Sequence, residues 1–111
     1  IVCDARRLRL EPGLVCGIFS ECGVVVEALD DAALKAASCS ALLAVGFFVV
    51  AASGLAGYGR RPMQVRKMGP SLLRVGDFAA GVSDSDPPLA PRVMQAAALQ
   101  ADQVLARILD G

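Results

Sequence analysis

The sequence contains no histidine, tryptophan, asparagine or threonine. Without histidine the chain has no imidazole base, so a Ser-His-Asp triad and a Cys₂His₂ zinc site are both excluded. Without asparagine it has no acceptor for N-glycosylation. The basic surplus that nucleic-acid binding requires is missing, because 11 Lys and Arg residues balance 11 Asp and Glu residues. The composition is 55% hydrophobic, which argues against a disordered chain.

The most prominent feature present is an apolar stretch, residues 36–59, that carries no charged side chain. A hydrocarbon core of about 30 Å is crossed by roughly 20 helical residues, and this stretch is long enough. It is apolar on all sides, whereas an amphipathic helix keeps a polar face. We predict a single transmembrane helix over residues 32–59, capped by Asp30 or Asp31. The alternative is a buried helix, for which a chain of 11.4 kDa has little interior.

The charges around this stretch predict an orientation. Four acidic residues and one lysine lie in the segment before it, and the basic residues Arg60, Arg61, Arg66 and Lys67 follow it. Positive residues remain on the cytoplasmic-type side because they are hard to translocate. We therefore expect an integral protein of the thylakoid or mitochondrial inner membrane, with the C-terminus on the stromal or matrix side. A solvated basic loop is the alternative.

The rest of the chain divides into three further segments. Residues 1–31 form an N-terminal arm with a possible weak hairpin, its strands at 14–19 and 24–26. Residues 60–90 form a basic extended segment, with possible short strands at 63–67 and 72–75 and a Pro/Asp/Ser linker. Residues 91–111 form an amphipathic helix. The predicted fold class is therefore mainly α.

Two sets of residues are candidates for contacts between helices. Small residues at i+4 spacing offer close-packing surfaces in the predicted span, namely Ala37, Ala41, Ser53 and Gly57; the glycines equally suit a helix end. In the C-terminal helix, an apolar stripe at spacings of three and four predicts a docking surface for a partner. Its members are Met94, Ala97, Ala101, Val104 and Ile108.

The candidates for chemistry are few. The cysteines, at positions 3, 16, 22 and 39, form no C-x-x-C pair. Cys16 and Cys22 could meet across the hairpin, but ordinary buried thiols are the favoured interpretation. No ionisable group interrupts the apolar stretch, as an ion path would require. Asp84 and Asp86 lie in the linker, a poor place to hold catalytic geometry. We predict no catalytic residue, metal or cofactor.

Two segments resemble known families. Residues 13–28, GLVCGIFSECGVVVEA, followed by Asp30, Asp31 and an Ala-rich helix, resemble the first half of a roadblock domain. That resemblance implies an α/β fold and a dimeric scaffold. The segment RVGDFAA, 74–80, is similar to the flavin-contacting tail of FAD-dependent pyridine-nucleotide oxidoreductases, which implies a flavin contact at Asp77. Because the chain lacks the family's Gly-rich fingerprint and its length, we do not adopt the flavin interpretation.

These observations predict a non-catalytic, single-pass accessory subunit of a large membrane complex of photosystem or respiratory type. Its expected partners are larger membrane-protein subunits, lipid and possible pigment contacts, and no nucleic acid. The class assignment is by analogy, because no motif specifies it. The alternative is a roadblock-like dimerisation scaffold.

Overall fold

The computed structural model describes residues 2–59, 61–78 and 86–111. The described part contains three helices and four strands. In chain order they are α1 (Pro12–Ile18), β1 (Val24–Glu27), α2 (Ala32–Ala44), β2 (Phe48–Ala52), β3 (Gln64–Gly69), β4 (Leu72–Gly76) and α3 (Ala90–Asp110).

The four strands form one mixed sheet in the order β1-β2-β4-β3. β1, β2 and β4 run parallel, with Val25 beside Val49 and Ala51 beside Arg74. β3 is the antiparallel edge strand, joined to β4 by a tight turn. The parallel pair β1 and β2 is connected through α2, as parallel strands require a crossover. The carboxyl ends of β1, β2 and β4 therefore lie at one edge of the sheet.

Local sequence explains where the elements begin. The β-branched residues of β1 favour a strand. Asp31 caps α2, because its carboxylate accepts a hydrogen bond of 2.7 Å from the backbone N–H of Leu34. The prediction that one of the two aspartates caps this helix is confirmed. β2 is the inner strand between β1 and β4, and Val49 and Val50 are fully buried on its opposite faces.

Helices cover both faces of the sheet and create two cores. On one face, Val25, Val49 and Ala51 pack against Leu42 of α2 and Val15 of α1. On the other face, Val50 and Val75 pack against Ala96 of α3. α2 lies mainly on β2, and α3 packs against β1, β2 and β4. The part of β4 on the α2 face is thus less covered than β2.

The prediction of one helix over residues 32–59 is wrong. α2 ends at Ala44, and Gly46 turns the chain with a φ of 96°. Phe48 then begins β2, and Phe47 packs against the core beneath α2. The predicted mainly α class is therefore wrong, and the fold is α/β. The apolar stretch supplies most of α2 and the inner strand β2, which a parallel sheet covers on both faces. Its residues Val49, Val50, Ala51 and Ala52 are therefore buried, whereas Val45 and Tyr58 lie outside the strand and are exposed.

The membrane predictions depended on that helix, and they are wrong as well. Among the described residues, none of the helices combines the length and apolarity needed to cross a bilayer. The predictions of an integral membrane protein, of an organellar membrane location and of a photosystem or respiratory subunit are therefore wrong. The positive residues after the apolar stretch also lose their meaning as an orientation signal, because that signal presupposes a span.

The alternative α/β prediction is closer to the structure, but the N-terminal hairpin is wrong. Residues 12–18, which contain most of the expected first strand, form α1, and β1 pairs in parallel with β2. Cys16 and Cys22 are therefore not cross-strand neighbours, and both are free thiols. Cys3 and Cys22 are exposed, contrary to the interpretation of buried thiols, whereas Cys16 and Cys39 are half-buried.

Candidate functional site

Polar residues follow each of the three parallel strands at the carboxyl edge of the sheet. Glu27 ends β1, Ser53 and Gly54 follow β2, and Asp77 follows β4. Open parallel sheets bind ligands at this edge, because the loops there leave a crevice between the strands and the helices. This edge is therefore the expected place for a ligand.

A cavity of about 230 Å³ lies between the first turns of α2 and β4, and it extends from the carboxyl ends of β1 and β2 to Leu72, the first residue of β4. We call it the carboxyl-edge cavity. Its polar and ionisable lining residues are Glu27, Lys35, Cys39, Ser53 and Arg74. Alanines of α2 and β2 and the side chain of Leu72 form the apolar remainder. Two cations and one carboxylate give the lining one net positive charge.

An ion pair fixes the cavity's wall next to β1. Lys35 Nζ donates to Glu27 Oε1 at 2.9 Å and to the carbonyl oxygen of Leu29 at 2.8 Å. The same Glu27 oxygen accepts the backbone N–H of Leu29 at 2.7 Å. The Glu27 side chain is only 3% exposed, so its carboxylate has lost most of its contact with water. These bonds offset the free-energy cost of burying that charge. The cluster therefore holds the β1–α2 loop in one conformation.

Cys39 is a poor nucleophile in this setting. Burial raises the pKa of its thiol, and the Glu27 carboxylate raises it further. The charges of Lys35 and Arg74 oppose these effects without cancelling them. A raised pKa keeps the sulfur protonated at neutral pH, and the thiolate is the reactive form. Cys39 thus lines the cavity as a thiol whose pKa is raised.

A second ion pair lies near the carboxyl end of β4, on the face of the sheet that α3 covers. Arg92 Nη2 donates to Asp77 Oδ2 at 2.8 Å, and both side chains are buried. Gly54, with a φ of 73°, approaches Asp77 so closely that an added Cβ would overlap the carboxylate. Gln100 of α3 donates to the carbonyl oxygens of Glu27 and Val50 at 3.0 and 3.2 Å. These bonds fix α3 to the ends of β1 and β4 and to the middle of β2.

The residues predicted for close helix packing do not share a helix. Ala37 and Ala41 lie on α2, where Ala37 is exposed and Ala41 packs against the core. Ser53 and Gly57 lie in the loop after β2, and Gly57 donates its N–H to Pro87 at 3.0 Å. The φ of 76° at Gly57 is typical of a turn. The structure therefore does not bring the four residues into one surface.

The basic residues predicted to set the orientation are dispersed. Arg60 lies outside the described residues. The carbonyl oxygen of Arg61 accepts a bond of 2.7 Å from Arg92 Nη1. Arg66 stacks on the ring of Phe78 at 4.0 Å, and Lys67 is exposed on β3.

The predicted docking stripe lies on α3, mostly on its exposed side. Met94 is 69% and Ile108 is 64% exposed, and Ala97 and Ala101 are exposed as well. Val104 is half-buried and packs against the core beneath α3. The surface that α3 turns to the sheet is partly polar instead, with Arg92, Ala96 and Gln100 buried.

Sequence patterns did not identify Glu27, Lys35 and Arg74 as members of one site. A usable signal was present for Glu27, because a charged residue directly after a β-branched strand marks the carboxyl edge. Arg74 gave no such signal, since its place beside the cavity depends on the pairing of β4 with β2. Within the described ranges, no group of three or more potential ligands is arranged to hold a metal ion.

No family model and no curated protein matches this sequence. Among solved structures, the fold is similar to that of the E. coli tRNA N6-threonylcarbamoyladenosine dehydratase TcdA in complex with ATP. The TM-score is 0.63 at 16% sequence identity, and the match covers 89% of this chain. It covers 55% of the TcdA chain, so this chain spans about half the length of its structural neighbour. At this identity the likeness establishes a shared α/β fold.

Proposed function

We propose that this chain is part of a nucleotide-binding α/β protein and that the carboxyl-edge cavity binds phosphate groups of an ATP-class nucleotide. The observation that carries the proposal is that Lys35 and Arg74 line one cavity, whose lining includes the carboxyl ends of the parallel strands β1 and β2. Nucleotides bind at this edge in doubly wound folds. The similar fold of TcdA, solved with ATP, supports the same ligand class.

The charges favour phosphate contact through side chains. Asp31 already occupies the N-terminus of α2 with its own carboxylate, so a phosphate would meet a like charge there. The β1–α2 loop also contains no glycine with which to wrap a phosphate. Arg74 is the better anchor, because Lys35 is already bonded to Glu27. Arginine forms two parallel bonds to phosphate oxygens.

We further propose that this part of the protein binds the nucleotide without supplying a nucleophile. The raised pKa of Cys39 argues against a covalent intermediate at the only thiol of the cavity lining. The prediction that this chain has no catalytic residue stays a prediction.

Titration of the full chain with a fluorescent ATP analogue and magnesium tests the proposal. Replacing Arg74→Gln should weaken binding by about 10-fold or more, since a charge-assisted bond contributes about 1.5–3 kcal/mol. The matched control is Lys67→Gln, which removes one positive charge from exposed β3 and leaves the affinity unchanged.

Two results would overturn the proposal. One is no saturable binding to the unaltered chain. The other is equal weakening by the Arg74 and Lys67 substitutions, which would indicate general attraction between charges. Circular dichroism of both variants establishes that they keep the fold of the unaltered chain.

A further inference from the structure

The side of α3 that faces away from the sheet is continuously apolar. At 100° per residue, nine positions between Val93 and Leu109 occupy an arc of about 160° without a polar side chain. They are Val93, Met94, Ala97, Ala98, Ala101, Val104, Leu105, Ile108 and Leu109. We call this arc the outer face of α3. Patches of this kind mark interaction sites on soluble domains.

The large side chains of this face are exposed. Leu105 is 56% exposed, Ile108 64% and Leu109 76%. Met94, near the other end of the helix, is 69% exposed. The helix itself is held to the sheet by the opposite side, through Arg92, Ala96 and Gln100. Apart from Val104, which packs against the core beneath α3, the residues of the outer face are exposed and offer a surface to a partner.

The arrangement of large and small residues on the outer face is complementary to itself. Bulky side chains occupy the two ends of the face, and alanines occupy its middle. When two copies of the helix run antiparallel about Ala101, position i meets position 202 − i. Leu105 then faces Ala97, and Met94 faces Ile108. A parallel pair would instead place leucine on leucine and alanine on alanine, which packs less densely.

We propose that the outer face of α3 binds a second copy of this chain, with the two α3 helices antiparallel and Ala101 at the two-fold axis. Such an interface is isologous, because each copy presents the same patch. The small side chain of Ala101 permits the two backbones to approach closely. The antiparallel arrangement also brings opposite ends of the helix dipoles together. The proposal is independent of nucleotide binding, since the outer face does not line the carboxyl-edge cavity.

Sedimentation equilibrium of the full chain tests the assembly. We expect a reversible transition from 11.4 kDa to twice that mass. A single helix pair is a small interface, so the dissociation constant should be on the order of micromolar. Ala101→Glu places two carboxylates at the axis and should raise the dissociation constant by about 10-fold or more. Glutamate is nearly as good a helix former as alanine, so the exposed helix persists.

The matched control is Ala106→Glu, an identical change on the same helix at an exposed position outside the outer face. It should leave the dissociation constant unchanged. The proposal is overturned if the unaltered chain stays at the mass of one copy up to about 1 mM. Equal effects of the two substitutions would also overturn it, because the surface in contact would then lie elsewhere.

Cysteine crosslinking tests the direction of the helices. In a chain with Cys3→Ser and Cys22→Ser, which removes the exposed thiols, Ala101→Cys should form a disulfide between copies. A mixture of Met94→Cys and Ile108→Cys chains should crosslink to each other in preference to themselves. Preferential crosslinking of position 94 with position 94 would show a parallel pair and would refute the antiparallel arrangement.

Discussion

The guanidinium of Arg92 and the carboxylate of Asp77 form a buried ion pair with a distance of 2.8 Å between Nη2 and Oδ2. The side chains are 6% and 1% exposed, respectively. The pair joins the first turn of α3 to the end of β4, and Nη1 of the same guanidinium binds the Arg61 carbonyl oxygen. One arginine thus connects a helix, a strand end and the loop before β3.

Replacing Arg92→Met should destabilise the fold strongly. The substitution keeps an apolar stem but leaves the buried Asp77 carboxylate without its guanidinium, which costs about 3–5 kcal/mol. Urea denaturation followed by circular dichroism measures the loss. Arg6→Met removes an equally short but exposed ion pair to Asp4 and should produce no measurable change. Similar losses of unfolding free energy in the two variants would show that burial of the Arg92–Asp77 pair does not determine how much the pair stabilises the fold.

Gly76→Ala should disrupt the end of β4. A Cβ at position 76 would overlap the backbone carbonyl oxygen of Ser53, and backbone atoms cannot rotate away as a side chain does. We expect a loss of stability of about 1–3 kcal/mol, the usual result of overpacking. Gly69→Ala in β3 is the matched control, because a Cβ there meets nothing within 4 Å. The interpretation is wrong if Gly76→Ala unfolds at the same urea concentration as Gly69→Ala.

Asp31→Ala should lower the free energy of unfolding by about 1 kcal/mol, because it removes the cap from the N–H of Leu34. The neighbouring exposed Asp30→Ala should change it by less than about 0.5 kcal/mol. Thermal unfolding of both variants checks the difference. An equal loss in the two variants would indicate an effect of negative charge near the helix dipole and not of the capping bond.

Alkylation of Cys39 should have a midpoint above pH 9.0, the ordinary value for its thiol, because burial and Glu27 raise the pKa. Iodoacetamide kinetics on a chain with the other three cysteines changed to serine measure this midpoint. Arg74→Gln should raise it further, since the Arg74 charge lowers the pKa. Lys67→Gln should not move it. A midpoint below 9.0 would contradict the buried position of the thiol.

The raised pKa of Cys39 also makes the stability of the fold depend on pH. With a raised pKa in the fold, the unfolded chain ionises Cys39 first, so ionisation favours unfolding. The stabilising contribution of the protonated Cys39 thiol is fully present below the pKa that the thiol has in the unfolded chain. It is lost as the pH rises through the pKa that the thiol has in the folded chain. A Cys39→Ser chain should lose less stability over that alkaline range than the unaltered chain.

Several local features could be predicted from the sequence, because neighbours along the chain determine them. An aspartate before an alanine-rich segment can satisfy free N–H groups in any fold, and Asp31 does so. The β-branched run at Val24–Glu27 favours a strand for the same local reason. The apolar periodicity of α3 likewise follows from the spacing of its residues.

Only the tertiary structure decided what the apolar stretch forms. A segment that is apolar on all sides suits a transmembrane helix, a buried helix or an inner strand, since all three lack a polar face. Gly46 and the pairing of Val49 and Val50 with strands on either side select a strand. The carboxyl-edge cavity is also a tertiary property, because Glu27, Lys35 and Arg74 come together only when β1, β2 and β4 align. Hydrogen bonding between distant strands supplies information that periodicity along the chain does not contain.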